Sequence, residues 1–467
     1  MASITFKSFV GLNTYSTEKH RHHSIMTPSK YLVPNQLHYR RLNVVAAKSS
    51  PTITGRSLRV AVVGGGPAGG AAAETLAKGG IETFLIERKM ENAKPCGGSI
   101  PLCMVKEFDL PLDIIDRRVT QLKIISPSNT AVTIGKTLKP HEYIGMVRRE
   151  VLDAYLRDRA VASGATIING LFTKMDKPED ENAAYVLHYI TYNGKVGSAG
   201  ESMCIEVDAV IGADGANSSV AKSIDAGDYE CLLGIQESIK LPENKMQYYQ
   251  NLAEMYVGSD VSPDFYGWVY PKSDHVDVGT GTLRNKPDIE NFQVATRNRV
   301  GDKILGGEII RVEAHPMPQH PRPRRVVERV ALVGDAAGYI MKGSGEGIYF
   351  AAKSGRMCAE AIVEGSENGR KMVTEGDLSS YLEKWDKTYG PTFKKMGVVD
   401  KVFYRSNLGK ETVVALFGHE HAQKMILDSY LYKKEATVNH LEGLQLVVHT
   451  IGSLVNVNRL NKETTKI

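Results

Sequence analysis

Gly64, Gly66 and Gly69 stand at the spacing of a loop that receives a pyrophosphate, between the apolar run LRVAVV and the helix-prone AGGAAAETLAKGG. In such a loop Gly64 makes the tight turn, Gly66 lets backbone approach the phosphates, and Gly69 brings helix close to strand. A second apolar run, ETFLIE, ends at Glu87, whose carboxylate can take a pair of ribose hydroxyls. Two further runs end in a glycine beside an aspartate. DAVIGADGANSSV carries Gly212, Asp214 and Gly215, and RVALVGDAAGYI carries Gly334 and Asp335. Backbone and carboxylate at such a strand tip can reach a polyol lying across it. A nicotinamide dinucleotide has no polyol there, whereas FAD has its ribitol. Either Gly-Asp pair alone is a common turn; in register with the first motif, the three select FAD.

A second set of residues could move protons and line a slot. Cys96 stands beside Gly97 and Gly98 in KPCGGSIP. Tyr266, Trp268 and Tyr270 alternate along PDFYGWVYP, so a strand would set all three rings on one face. A thiol and a phenol can each deliver a proton, and three rings can wall a linear apolar chain. The residues alone leave other roles open: cysteine as a small buried hydrophobe, tyrosine as packing, the aromatic face as core. Gly345 and Gly347 of KGSGEG precede IYFAAKSGRMCAEAIVEG. A helix starting there would aim its positive end at a flavin pyrimidine edge, where negative charge sits on reduction. A glycine turn chosen only for close packing fits the same residues.

The order of motifs carries a resemblance. The glycine loop, then RREVLDAYL led by Arg149, then GADG, VGDAAG and GSGEG resembles the FAD-dependent monooxygenase and reductase superfamily with the para-hydroxybenzoate hydroxylase type of fold. Within it, KPCGGSIP together with PDFYGWVYP is similar to the geranylgeranyl reductase family, from about residue 58 to the end. Tyr270 stands where that family's Pro-x-x-Tyr-x-Trp-x-Phe-Pro signature has phenylalanine, which adds a hydroxyl to the aromatic wall. The resemblance implies that Arg149 touches the flavin nucleotide and Asp335 its ribitol and pyrophosphate. It implies NADPH as a transiently docking reductant, there being no second GxGxxG. The implied substrate is a geranylgeranyl chain, as the diphosphate or the chlorophyll ester, reduced to phytyl for chlorophyll and tocopherol synthesis in the chloroplast. An isolated double bond needs a proton on one carbon when hydride reaches the other, so Cys96 and Tyr266 become the candidate acids, with Trp268 and Tyr270 facing the chain. Lys342 and Arg284 are the cations offered to its head group. Two other activities share the fold: oxygenation of an apolar substrate, and non-redox escort of prenylated partners. The paired CGG and aromatic motifs argue against the first, and intact flavin motifs against the second.

An α/β frame must position these residues. The pattern reads as a Rossmann-like FAD-binding domain, discontinuous over residues 58–100, 145–230 and 326–362. An antiparallel β substrate domain takes residues 101–144 and 231–325, and a helical C-terminal region residues 363–467. HPMPQHPRPRR, with four prolines, reads as an extended connector back to the flavin domain. The first fifty residues hold seven basic side chains and one acidic, with many Ser and Thr, the composition of an organelle transit peptide. Without them the chain is near charge balance, which gives no reason to expect a nucleic-acid partner. Five cysteines show no zinc-ligand spacing, so no metal is expected. No apolar run spans a bilayer, LEGLQLVVHTIGSLVNV being interrupted by Glu442, Gln445 and His449. A contact of the C-terminal region with the thylakoid surface, or with a membrane-bound partner, stays open.

Overall fold

The computed structural model describes residues 51–91, 94–180, 182–191 and 200–433; the basic leader and LEGLQLVVHTIGSLVNV lie outside them. The apolar run at the glycine loop forms strand Arg59–Val63, with all but its first residue buried. Glu82–Glu87 and Ala209–Gly212 flank it in parallel, Val330–Leu332 follows on one side, and the start of Thr166–Asp176 on the other. Strands buried on both faces need unbroken apolar runs, which is what the sequence shows. Thr166–Asp176 then leaves the parallel register to pair antiparallel with Tyr185–Thr191, and Ser202–Val207 extends that edge. Val326–Val327 closes the opposite edge of the eight-stranded sheet.

Small residues set how closely helices cover this sheet. Helix Pro67–Lys78 lies against Ile348–Gly365 and Arg149–Ala162. A Cβ on Gly355 would fall 2.0 Å from the Ala68 carbonyl oxygen, and one on Gly70 would fall 2.8 Å from the Leu156 Cβ. The same core takes in Met104 of helix Leu102–Glu107, then Phe108, Leu110 and Ile114, and also Tyr381 and Trp385 of helix Glu375–Phe403. Residues 101–114, read from the sequence as part of the substrate layer, therefore pack into the flavin side. So does the first helix of the C-terminal region. Their apolar side chains join the same buried cluster as the parallel strands.

The second sheet has seven strands in the order Glu308–Pro318, Cys231–Lys240, His275–Thr282, Ser262–Pro271, Leu252–Gly258, Gln121–Ile125, Ala131–Ile134. Every pairing is antiparallel except Leu252–Gly258 with Gln121–Ile125. Helix Ile289–Val300 covers one face, over Val269, Val276 and Val278. The aromatic residues take the other. Pro316 and Pro318 lie at the end of an edge strand, where a missing N–H is tolerated, so only the later part of the proline-rich stretch is a connector. A three-stranded sheet, Ser99–Ile100, Ile144–Met146 and Arg117–Val119, holds the CGG loop between the two larger sheets. Helices Asn407–Leu416 and Glu420–Tyr432 follow the long helix. Among the described residues, no helix is long and apolar enough to cross a membrane.

Candidate flavin and prenyl site

Gly64 has φ +104°, and a side chain there would meet the Ala213 carbonyl oxygen at 2.4 Å. A Cβ on Gly69 would fall 1.7 Å from the Gly64 carbonyl oxygen, so the loop closes only with glycine at both positions. Gly66 caps helix Pro67–Lys78 and Gly347 caps helix Ile348–Gly365, and neither cap has a side-chain hydrogen bond. First-turn N–H groups at both ends are thus left for an anionic ligand, which fits a dinucleotide phosphate at the first helix. Arg149 comes to the same loop. A Cβ on Gly66 would lie 3.5 Å from its Nη2, and its guanidinium is held by Asp153 through bonds of 2.8 and 2.7 Å.

The three acidic candidates differ in what occupies them. Glu87 accepts the Gly65 N–H at 2.6 Å and the Lys89 N–H at 2.8 Å, which fixes the loop as well as ending the strand. Asp214 accepts from the Ser218 hydroxyl at 2.6 Å and from the N–H groups of Ser219 and Val220 at 2.7 and 3.1 Å. Its carboxylate therefore caps the short helix Ser219–Ser223, and the neighbouring Gly215, at φ +78° with open space where a Cβ would go, is what faces outward. Asp335 pairs with Lys94. Burial acts to raise the Asp335 carboxyl, yet the Lys94 ammonium, with His315 and Arg149 nearby, holds it below the usual range. Gly334, at φ +56°, donates its N–H to the Ser354 hydroxyl at 2.9 Å and so anchors the turn to the following helix.

The proton-bearing residues come together across the gap between the sheets. The Tyr266 hydroxyl donates to the Ser344 carbonyl at 2.7 Å and accepts from the Tyr270 hydroxyl at 3.5 Å. A Cβ on Gly345 would lie 3.7 Å from that Tyr266 oxygen, so KGSGEG meets the aromatic face here. The Tyr270 ring lies against Gly97, where a Cβ would come within 2.5 Å of it. Cys96 accepts the Gly98 N–H at 3.4 Å, and the Arg149 guanidinium lies beside its thiol. Cys96 and Tyr266 thus stand at opposite ends, with Tyr270 between them. Burial pushes the Tyr266 phenol well above its ordinary value and that of Tyr270 up to about 12, so both hold their protons at neutral pH. Trp268 stacks near Tyr270 with centroids 6.3 Å apart, and its indole N–H is buried without a partner.

Two cations near the site went unremarked in the sequence. Lys94 opens KPCGG, and Lys272 follows PDFYGWVYP; the Lys272 ammonium donates to the Gly97 carbonyl at 2.6 Å and pairs with buried Asp277 at 3.3 Å. Their positions flanking the motifs were the signal. Lys342 and Arg284 are likewise opposed by acids. Lys342 lies 3.8 Å from Asp400, and the exposed Arg284 lies 4.0 Å from Asp264.

A dinucleotide loop on a parallel sheet, facing an aromatic antiparallel sheet across two glycine loops, defines a flavoprotein of the FAD-binding oxidoreductase type. Residues 57–100 match the FAD binding domain family. The fold is similar to a geranylgeranyl bacteriochlorophyll reductase-like protein from Thermoplasma acidophilum, with a TM-score of 0.66 and 20% identity over 86% of this chain and 98% of that one. A flavin-dependent halogenase shares it at a TM-score of 0.61 and 19% identity, over 86% of this chain and 78% of its own. In sequence the chain is 68% identical to the chloroplastic geranylgeranyl diphosphate reductase of Nicotiana tabacum over the full length of both. It is 59% identical to the geranylgeranyl diphosphate reductase of Synechocystis sp. over 86% of this chain and 99% of the relative. The chain belongs to the geranylgeranyl diphosphate reductase family.

Proposed function

We propose that the chain is a chloroplast enzyme that uses FAD, reduced by NADPH, to saturate carbon–carbon double bonds of a geranylgeranyl chain and yield phytyl. The observation that carries this reading is the meeting of Tyr266, Tyr270 and the CGG loop with KGSGEG, which sets two buried phenols and an aromatic wall against a flavin loop. Full-length likeness to geranylgeranyl diphosphate reductases of tobacco and Arabidopsis supports the substrate class.

Gly64, Gly66, Gly69 and the first turn of helix Pro67–Lys78 would hold the pyrophosphate, with Glu87 and Arg149 at the nucleotide and Asp335 at the ribitol. FAD, when bound, supplies a hydride to one carbon of the double bond. Tyr266 delivers the proton to the other carbon, since burial keeps its phenol neutral, and the Tyr270 hydroxyl is placed to refill it. Cys96 is the second candidate donor and Trp268 lines the chain. A C20 chain gains roughly 16 kcal/mol gross on leaving water, at about 0.8 kcal/mol per carbon. Such a substrate resides in membrane, so the reading includes a contact with the thylakoid surface or a membrane-bound partner.

The test is anaerobic. The chain is loaded with FAD and reduced by NADPH, then given geranylgeranyl diphosphate or geranylgeranyl-chlorophyll while flavin reoxidation and product mass are followed. Reoxidation with product gaining two hydrogens per step is expected. A flavin that stays reduced with both substrates until oxygen is admitted would overturn the reading.

A further inference from the structure

Helix Glu420–Tyr432 and the residue after it contact both glycine loops, and the roles assigned so far make no use of this. Lys433 takes a left-handed conformation, φ 53°, at the helix C-terminus. Its ammonium donates to both carboxylate oxygens of Glu346, at 2.9 and 2.7 Å, and lies 4.5 Å from the Tyr430 ring centroid. The two side chains are only 10% and 16% exposed. Tyr430 pairs by its hydroxyl with Ser99, at the strand that leaves the CGG loop. Tyr432 reaches Glu142 at 2.6 Å.

Glu346 is the one acid of KGSGEG and stands just before Gly347, the cap of the helix that begins at Ile348. The loop closes on itself through Met341 N–H to the Glu346 carbonyl at 2.8 Å and Gly345 N–H to the Met341 carbonyl at 2.9 Å, which holds Glu346 in place. Of the other acids nearby, Asp335, whose Oδ1 lies 3.7 Å from where a Cβ on Gly347 would stand, pairs with Lys94, and Glu107 has its own partners in Lys353 at 2.5 Å and Tyr349 at 3.0 Å. The Glu346 charge is therefore balanced by Lys433, and in a largely buried pair salt screens that balance little.

We infer that Lys433 is a positioning residue for the reaction: by neutralising Glu346 it sets how readily the flavin facing the KGSGEG loop accepts electrons. The inference rests on the proposed placement of the flavin. A two-electron-reduced flavin gains negative charge at its pyrimidine edge, and an uncancelled carboxylate beside it opposes that gain. An uncancelled ammonium favours it.

The full chain loaded with FAD is compared as wild type, Lys433→Met, Glu346→Gln, the double variant and the conservative Lys433→Arg, by spectroelectrochemical titration. Lys433→Met is expected to lower the midpoint potential by a tenfold or greater change in the two-electron equilibrium, about 30 mV. Glu346→Gln is expected to raise it. The double variant returns toward wild type, and Lys433→Arg stays there. A merely structural clasp would not move the two single variants in opposite directions. Normal flavin spectra with both single variants unmoved, or moved the same way, would overturn the proposal alone. Failure of the wild type to take up FAD would overturn the site reading and the proposal with it.

Discussion

Tyr266 sits between a donor and an acceptor of its own kind of chemistry, taking a proton contact from Tyr270 and giving one to the Ser344 carbonyl. Replacing it by phenylalanine leaves the aromatic wall and removes only the hydroxyl, the acid proposed above. Tyr266→Phe is therefore expected to lower kcat by about 100-fold or more, the usual scale of general acid catalysis, with flavin affinity unchanged. Because burial holds this phenol well above its ordinary value, its ionisation lies outside the pH 6–9 range, so the variant lowers the pH–rate profile without changing its shape. Stopped-flow reoxidation across that range checks both statements. The alternation of Tyr266, Trp268 and Tyr270 was legible because a strand has period two. The Ser344 carbonyl was not, because a backbone acceptor has no sequence signature. The Asp214 carboxylate illustrates the converse: its glycine-rich setting was visible, yet the hydroxyl and N–H groups of residues 218–220 take its oxygens.

At the scale of elements, helix Asn407–Leu416 is tied to the aromatic strand by a fully buried lysine. Lys410 donates to the carbonyls of Ser262 and Pro263 at 3.1 and 3.3 Å, with Asp260 and Asp264 nearby and the Tyr404 ring 5.8 Å away. Burial lowers its pKa to about 8, against the two aspartates, from the ordinary 10.5. Below pH 8 native and unfolded chains both hold this proton. Between about 8 and 10.5 only the unfolded chain does, so this group makes stability rise with pH across that window. Urea midpoints at pH 7, 8.5 and 9.5 are expected to show the wild type gaining on Lys410→Met as pH rises; a constant difference would refute this. Strand Arg59–Val63, the glycine loop and helix Pro67–Lys78 were plain in the sequence, since apolar run and glycine spacing are local. The helical character of the C-terminal region was legible too, but the anchoring of Asn407–Leu416 to Ser262 and Pro263 was not, because a lysine reads as solvent-facing until burial is known.

For the whole molecule, the sequence begins the flavin domain near residue 58, whereas described contacts start at Pro51. The Pro51 carbonyl accepts the Met372 N–H at 3.0 Å, and Ile53 donates to Arg370 at 2.8 Å. Arg56 holds buried Asp208 through bonds of 2.5 and 2.9 Å, beside Arg59. A chain starting at residue 58 is expected to be less stable than one starting at residue 51 by about 1–3 kcal/mol, the scale of charged hydrogen bonds lost from a partly buried network. Denaturant titration of the two chains measures it. Partners such as Arg56 and Asp208 lie far apart in sequence, so no local pattern announces them. For the same reason Met104, Phe108 and Trp385 entered the parallel-sheet core unannounced.

Both tryptophans of the chain are placed by this architecture in different halves. Trp385 is stacked on Tyr339, centroids 4.0 Å apart, in the core beneath the parallel sheet, and Trp268 belongs to the aromatic face with its N–H unpartnered. Indole emission responds to neighbouring quenchers and to local polarity. The molecule thus carries two intrinsic optical reporters: Trp268 registers what enters the gap between the sheets, and Trp385, packed on Tyr339, Phe350, Tyr389 and Phe393, registers whether the core that takes in the long helix is intact. With Trp268 replaced by phenylalanine, the remaining signal comes from Trp385, so at constant flavin occupancy the difference between the two chains isolates entry into the aromatic gap without any added label.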